Sequence, residues 1–279
     1  MTPTRLSVIL PAHQEQDHLP ACLKALARQT GIDGLAREVI VVANGCTDAT
    51  ADRARAEEAA LTAAGWRVSV IETPSGGKIG ALNLGDEAAS GDLRLYLDAD
   101  VVVGQGMIAA LVAALDGPGA RYAGAQLVVP RPESAVSAAY ARFWQRLPFV
   151  AEGVTGAGLF AVNAEGRARW GDFPQVISDD GFARLNFAPS ERWRVEVPYH
   201  WPISEGLATL IRVRRRQDAG TAELARLYPD LAGHASGDRP SGRRALRMGL
   251  ADPAGFAAYA VVSLAVRLRR PSHHWERAR

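Results

Sequence analysis

Residues 93–100 read Leu93-Arg94-Leu95-Tyr96-Leu97-Asp98-Ala99-Asp100, a short apolar run that ends in two aspartates. The run is typical of a buried β-strand, so the two carboxylates leave the strand two residues apart. Mg²⁺ in proteins usually takes one or two carboxylates and completes its shell with water and phosphate oxygens. The pair therefore suggests a nucleotide held through a metal-bridged diphosphate. The alternative is a turn in which both aspartates only solvate a loop or cap the next helix.

The first 130 residues alternate short apolar runs with segments of helical period. The runs predict strands at 6–10, 39–42, 66–71, 93–97 and 123–129. The segments between them predict helices at 17–28, 47–64, 79–89 and 105–115. This order predicts an α/β fold whose mostly parallel sheet carries helices on both faces. Ligands of such sheets bind beyond the carboxyl ends of the strands.

Polar or glycine-rich residues follow each of the first four predicted strands. They lie at 11–15, 43–48 and 74–78, and at the aspartate pair 98–100. Each loop alone is ordinary turn chemistry, but four in a row at one edge favour a ligand site. The chain has neither a P-loop nor a Gly-x-Gly-x-x-Gly after its first strand, which argues against a dinucleotide oxidoreductase.

The pattern changes after residue 130. We predict a helix at 135–147, a glycine-rich turn at 156–158 that leads into a strand, and a short helix that follows Ser178-Asp179-Asp180. A strand is predicted at 194–197, a flexible loop at 233–242 and an apolar helical segment at 254–268. We therefore divide the chain into a main domain, 1–230, with halves 1–130 and 131–230, and a C-terminal segment, 231–279.

Composition narrows the class of protein. The 279 residues include 32 basic and 30 acidic side chains, and this balance does not indicate nucleic acid as a partner. Two cysteines, Cys22 and Cys46, suggest neither a disulfide scaffold nor a zinc site, and they fit a cytoplasmic protein. No apolar run approaches the roughly 20 residues that span a bilayer. We expect a soluble protein, at most peripheral at the inner face of a membrane.

Six segments together resemble the family 2 glycosyltransferases, which are inverting enzymes of the GT-A fold. They are Ser-Val-Ile-Leu-Pro-Ala-His-Gln-Glu at 7–15, Val-Val-Ala-Asn-Gly-Cys-Thr-Asp-Ala-Thr at 41–50, Gly-Lys-Ile-Gly-Ala-Leu-Asn-Leu-Gly at 77–85, Leu-Asp-Ala-Asp at 97–100, Thr-Gly-Ala-Gly at 155–158 and Ser-Asp-Asp at 178–180. The order and spacing of the six segments are more specific for this family than any single segment is. The resemblance implies a GT-A-like sheet and transfer of one sugar from a nucleotide-diphosphate-sugar to an acceptor hydroxyl, as in cell-envelope or polysaccharide biosynthesis.

The resemblance also implies roles for individual residues. Asp180 matches the general base, while Gly156 and Asp179 lie on the acceptor side. Asp98 and Asp100 match the residues that hold Mg²⁺ or Mn²⁺. The residues implied in donor binding are Pro11, Ala12, Glu15, Asn44, Lys78, Asp98, Ala99 and Asp100.

The chain departs from the family pattern at three places. Asn44 stands where an acidic residue is common, and Asp179 replaces the usual glutamate. The Gln-x-x-Arg-Trp segment of the membrane-embedded synthases is absent, which favours single addition over processive synthesis. Two other functions fit the same pattern: a nucleotidyltransferase of related fold, and a non-catalytic protein that binds nucleotide-sugars.

We expect the acceptor to be a sugar, a lipid-linked molecule or a small molecule.

The segment 253–270 has three interpretations. It lies in a membrane interface with Arg269 and Arg270 on lipid phosphates, it packs on the main domain, or it packs on a second copy in a homodimer.

Overall fold

The computed structural model describes residues 5–235 and 240–268. An eight-stranded sheet lies at the centre, in the order β3-β2-β1-β4-β7-β6-β8-β5. Its strands are β1 (Arg5–Ala12), β2 (Ala36–Asn44), β3 (Trp66–Thr73), β4 (Leu93–Leu97), β5 (Val102–Val103), β6 (Tyr122–Val128), β7 (Leu159–Asn163) and β8 (Arg192–His200).

Helices cover the sheet. They are α1 (Leu19–Ala27), α2 (Thr50–Ala56), α3 (Glu58–Ala63), α4 (Lys78–Ala88), α5 (Met107–Leu115), α6 (Ala135–Trp144), α7 (Pro148–Ala151), α8 (Ala164–Arg167), α9 (Asp179–Leu185), α10 (Leu207–Leu227), α11 (Gly242–Ala251) and α12 (Pro253–Leu268). Two short 3₁₀ helices, Pro189–Glu191 and Pro229–His234, complete the described part of the chain.

The sheet is mixed but mostly parallel in strand direction. β1 pairs in parallel with β2 and β4, β2 with β3, and β6 with β8. β7 runs antiparallel between β4 and β6, and β5 runs antiparallel to β8. The predicted α/β class with a mostly parallel sheet and a helical C-terminal segment is confirmed.

The central strands are buried on both faces, as expected for parallel strands that lie between helices. In β1 only Arg5 is exposed, and the last seven residues of β2 are buried. α4 lies close against these strands at Gly85, where a Cβ atom would come within 2.6 Å of Ile9. This close contact fixes the position of α4 and therefore of Lys78, its first residue.

Several helices differ from the sequence prediction. The single helix predicted at 47–64 is two helices, α2 and α3, which meet at Glu57. No glycine or proline marks that break, and the side chain of Glu57 pairs with Lys24 of α1 at 3.4 Å. α10 was not predicted because its apolar stripe is thin: among its 21 residues, only Leu210, Gly220 and Leu224 are buried.

The predicted flexible loop at 233–242 overlaps residues 236–239, which lie outside the described residues. On either side the structure shows the 3₁₀ helix that ends at His234 and α11, which begins at Gly242. α11 was not predicted, because its arginines interrupt the short pattern of apolar residues from which a helix would be predicted.

The C-terminal helix α12 packs on α6 and α10. Tyr140, Leu210 and Val262 form a buried cluster among the three helices. Beside it, Arg142 donates two hydrogen bonds to Asp252, of 2.7 and 2.8 Å, and they lower the pKa of this carboxyl to about 2. Of the three interpretations of 253–270, packing on the main domain is therefore what residues 253–268 show, while Arg269 and Arg270 lie outside the described residues. Across the described ranges, no helix has both the length and the apolar character needed to cross a bilayer.

A buried glutamate joins the amino-terminal ends of the strands. Oε1 of Glu38 accepts hydrogen bonds from Ser7 Oγ at 2.6 Å and from Ser90 N at 2.7 Å, and Oε2 pairs with Arg67. Burial works against ionisation, but these hydrogen bonds outweigh it and lower the pKa of Glu38 to about 2. The carboxylate thus links β1, β2, β3 and the loop before β4.

Replacing this carboxylate tests its contribution to stability. Since the folded pKa of Glu38 lies near 2 against an ordinary 4.5, its stabilisation is complete above pH 4.5 and is lost as the pH falls towards 2. We expect Glu38→Gln to lower the free energy of unfolding at pH 7 by about 2 kcal/mol, with a smaller deficit at low pH. Urea unfolding across that pH range measures it. The exposed Glu58→Gln on α3 is the control, and an equal deficit at pH 7 and pH 3 would contradict this account.

Candidate active site

The carboxyl ends of the parallel strands meet at one edge of the sheet. β1 ends at Ala12, β2 at Asn44 and β4 at Leu97, directly before Asp98. β7 runs the other way and pairs its first residue, Leu159, with Leu97, so the loop before it reaches the same edge. α4 and α9 both begin there. The edge therefore collects side chains from widely separated parts of the sequence.

A shallow pocket opens to solvent at this edge, and its empty space is about 220 Å³ when the adjoining open solvent is included. Among the residues predicted for the site, those that line it are Pro11, Lys78, Asp98, Gly156, Asp179 and Asp180. The structure thus brings the predicted acids from the end of β4 and the start of α9 into one pocket with a lysine.

Lys78 lies between two of these acids. Its Nζ is 2.8 Å from Oδ1 of Asp98 and 3.1 Å from Oδ2 of Asp179. Burial lowers the pKa of Lys78, but the carboxylates of Asp179 and Asp98 outweigh burial and raise it well above the ordinary range. The side chain therefore stays protonated at neutral pH and neutralises part of a crowded acidic site.

Asp179 and Asp180 are adjacent but differ in their surroundings. Asp179 is buried, and burial with the nearby charges of Asp180 and Asp98 raises its pKa, while Lys78 opposes that rise. Oδ1 of Asp180 accepts hydrogen bonds from Ser178 Oγ at 2.8 Å and from Gly181 N at 2.7 Å. These two bonds fix the orientation of the Asp180 carboxylate at the pocket wall.

The loop 155–158 needs glycine where it passes the pocket. Gly156 has a φ of 77°, and a Cβ atom there would lie 2.3 Å from the hydroxyl of Tyr122 and 3.7 Å from Cβ of Asp180. A side chain at this position would be strained and would displace its neighbours. The backbone of Gly156 therefore forms the wall of the pocket beside Asp180.

The other predicted residues lie around the pocket rather than on its wall. Asn44 is buried, and its amide donates to Ala12 O at 2.8 Å and accepts from Gly77 N at 2.9 Å. It thereby joins the ends of β1 and β2 to the start of α4. The N–H of Glu15 donates to Thr50 Oγ1 at 2.8 Å, which joins the loop after β1 to α2. Their contacts with a donor stay predictions.

Ala99 is buried, and the carboxylates that flank it, Asp98 and Asp100, are half-buried. Burial together with the charges of Asp100 and Asp98 raises the pKa of the Cys22 thiol on α1, which shows that both acids lie near the same buried group. Asp98 lines the pocket, and Asp100 follows it two residues later, off the pocket wall.

The donor chemistry at this turn suits a hard divalent cation. No group of three or more histidine, cysteine or acidic side chains with metal-binding geometry occurs within 5–235 and 240–268. Mg²⁺ and Mn²⁺ sites that serve phosphates commonly take only one or two carboxylates from the protein. Asp98 and Asp100 supply such a pair beside a pocket, so the residues present fit the implied cation.

Four apolar residues of the pocket wall were not among the predicted site residues, and one of them, Leu97, is the last residue of β4. Leu82, Tyr96 and Phe160 line the pocket, and the rings of Tyr96 and Phe160 stack with centroids 4.7 Å apart. Leu82 lies four residues after Lys78 on α4, so the helical period could have placed both on one face. Nothing local in the sequence marks Phe160, because its position depends on the antiparallel pairing of β7 with β4.

Removing the Lys78 charge should leave Asp179 buried without a partner. We expect Lys78→Gln to lower the free energy of unfolding at pH 8 by about 1–2 kcal/mol. This loss is smaller than that for a fully buried ion pair because Lys78 is itself partly exposed. The deficit should be smaller in a second measurement at lower pH, such as pH 5, because the raised pKa of Asp179 lets this carboxyl take up a proton more readily than an ordinary aspartate. Thermal unfolding at both pH values measures this. Lys24→Gln, which removes the surface ion pair with Glu57, is the control. A deficit of Lys78→Gln that does not change with pH would contradict the expectation.

Comparison with known proteins agrees with this geometry. Glycosyltransferase AglE from Haloferax volcanii is 31% identical over 133 residues, which are 48% of this chain and 42% of that protein. The chain therefore spans less than half the length of that relative.

Two solved structures are similar in fold. Mannosyltransferase PcManGT from Pyrobaculum calidifontis, in complex with GDP-Man and Mn²⁺, matches with a TM-score of 0.59 and 20% identity over 97% of this chain and 77% of that one. Glucosyl-3-phosphoglycerate synthase from Mycobacterium tuberculosis, in complex with Mn²⁺, UDP and glucosyl-3-phosphoglycerate, matches with a TM-score of 0.54 and 22% identity over 83% and 81%. At these identities the likeness shows the GT-A type of fold.

The family model described as glycosyl transferase family 2 matches residues 7–165, which is more than half of the chain. That range includes β1 to β4, α4, Asp98, Asp100 and Gly156. It ends before α9, so the family match does not itself cover Asp179 and Asp180. The resemblance inferred from the sequence is confirmed: the chain belongs to glycosyl transferase family 2.

Proposed function

We propose that this chain moves one sugar from a nucleotide-diphosphate-sugar to an acceptor hydroxyl, with inversion at the anomeric carbon. The observation that carries the proposal is the pocket in which Asp98, Asp179, Asp180 and Lys78 lie together. The transfer requires acids for a cation, which Asp98 and the adjoining Asp100 supply, a further acid for a proton, and a lysine for phosphate charge. Family membership supports the same function, as do two structural neighbours, one solved with GDP-Man and Mn²⁺ and the other with UDP and Mn²⁺.

Transfer breaks the bond between the anomeric carbon and the diphosphate, so negative charge develops on the leaving group. Asp98 and Asp100 would hold Mg²⁺ or Mn²⁺, which when bound offsets that charge. Lys78 stays protonated, and its ammonium lies at the pocket wall. In our proposal Lys78 leaves Asp98 and turns towards the donor phosphates when the donor binds, while it keeps its contact with Asp179.

The acceptor hydroxyl must lose a proton as it attacks. We assign this proton to Asp180, because its carboxylate lies at the pocket wall and is oriented by Ser178 and Gly181. A positioned carboxylate contributes about 10²–10⁴-fold to such a step. Attack from the side opposite the diphosphate inverts the anomeric centre. Asp179, whose buried side chain contacts Lys78, positions the lysine rather than taking the proton.

The remaining predicted residues support donor binding in this scheme. Pro11 lines the pocket. Ala12 and Asn44 end the adjoining strands β1 and β2, and Glu15 lies in the loop after β1, where a base and ribose would lie. The two cysteines form no disulfide, which fits the proposed cytoplasmic location.

Asp180→Asn tests the proton acceptor. The amide keeps the shape of the side chain but cannot take a proton at neutral pH. We expect the rate of sugar transfer to fall about 10²–10⁴-fold while the nucleotide Kd stays the same. A nucleotide-sugar panel with product detection measures the rate, and titration calorimetry measures the Kd. Asp172→Asn, an exposed aspartate before α9, is the matched control. Near-normal transfer by Asp180→Asn would refute the assignment.

Binding experiments test the cation pair without turnover. We expect UDP or GDP to raise the unfolding temperature only when Mn²⁺ or Mg²⁺ is present, because a ligand of the native state stabilises it. Asp100→Asn should weaken the Mn²⁺-dependent shift, and EDTA should abolish it. The effect of each nucleoside diphosphate also identifies the donor base. A nucleotide-induced shift that is independent of the metal and unchanged in Asp100→Asn would contradict the proposed cation site.

A further inference from the structure

α11 presents a face of alternating leucine and arginine away from the protein. Leu246 and Leu250 are 64% and 72% exposed, and none of the ten residues of the helix is buried. Arg243 and Arg247 are exposed on the same face, since 243, 246, 247 and 250 follow the helical spacing i, i+3, i+4, i+7. The half-buried positions 245, 248 and 249 lie on the opposite side. α11 is therefore oriented with its apolar residues outward.

α12 also carries an apolar stripe on its outer side. Ala257, Val261, Leu264 and Leu268 are exposed and follow one another at i, i+4, i+7 and i+11. The inner side of the helix is occupied by Val262 and by the aromatic contacts between Tyr259 and Tyr140 of α6. The inner contacts thus leave the stripe uncovered, and the fraction of Leu268 exposed reaches 83%.

The charged side chains of α11 and α12 and of the turn between them are positive with one exception. Residues 242–268 contain Arg243, Arg244, Arg247 and Arg267 and a single acid, Asp252, which Arg142 neutralises. Arg244 pairs with Glu152 of the domain, whereas Arg243, Arg247 and Arg267 are exposed. An apolar surface rimmed by arginines is complementary to a layer with an apolar interior and anionic headgroups.

We propose that the outer faces of α11 and α12 lie in the interface of an anionic lipid bilayer. Leu246, Leu250 and the α12 stripe enter the acyl boundary, and the arginines reach back to lipid phosphates. A symmetric contact with a second copy fits less well, because it would bring the arginine-bearing face of α11 against its own equivalent. This surface differs from the one expected from the sequence, since α11 as well as α12 contributes to it.

Flotation of the full chain with lipid vesicles tests the proposal and needs no sugar transfer. The vesicles are phosphatidylcholine alone, or about two parts phosphatidylcholine to one part phosphatidylglycerol. We expect the protein to float with the anionic vesicles and not with the neutral ones, and NaCl to weaken the binding. Arg243→Gln with Arg247→Gln should lower the partition coefficient about 30-fold, which is ~2 kcal/mol at about 1 kcal/mol per arginine. Leu246→Ser with Leu250→Ser should also reduce flotation.

Controls separate this surface from general charge and from misfolding. Arg28→Gln with Arg53→Gln removes two exposed arginines, one directly after α1 and one in α2, and should leave flotation unchanged. All the α11 variants should unfold at the wild-type temperature, because the replaced side chains are exposed.

Two results would overturn the proposal. One is a wild-type chain that does not float with anionic vesicles, and the other is equal flotation of the arginine variant and its control. If light scattering instead shows a dimer that Leu264→Ser dissociates, and no flotation occurs, a second copy covers the stripe.

Discussion

The arrangement of the site depends on the two ion pairs that the ammonium group of Lys78 forms. This group contacts Asp98 at the end of β4 and Asp179 at the start of α9, two acids that would otherwise repel each other across the pocket. A cation between them lowers the cost of bringing the two elements together. The position of this cation follows in turn from the close contact of α4 with the sheet at Gly85. Sheet packing thus fixes the position of a charge, and that charge holds the two halves of the pocket together.

The fold and the edge that carries the site could be predicted from the sequence because parallel strands impose strong constraints. Their apolar runs are continuous, so β1, β2 and β4 were found where they lie. Because their carboxyl ends share an edge, the residues that follow them had to converge. The acid pair and the lysine could be grouped on this basis. The roles of Asp179 and Asp180 came from the family resemblance, and the structure places both in the same pocket.

What could not be predicted depends on contacts between segments that are distant in sequence. The pairing of Lys78 with Asp179 requires α9 to turn its first residues towards α4, and no local pattern states this. α10 carries one buried stripe among many arginines, yet its Gly220 packs on Ser178 and its Glu223 accepts from Ile177 N at 2.7 Å. This helix therefore supports the segment that bears Asp180. Burial of such a helix is decided by tertiary packing rather than by its own propensity.

The Glu38 network lies at the amino-terminal ends of the strands, whereas the pocket lies at their carboxyl-terminal ends. Hydrogen bonds that hold four segments together therefore act at a distance from the loops that line the pocket. Insertions or substitutions in those loops need not weaken the anchor, since loop residues contribute little to the buried core. The residues at the pocket rim can consequently change while the opposite rim preserves folding, and this separation favours evolutionary diversification of the pocket.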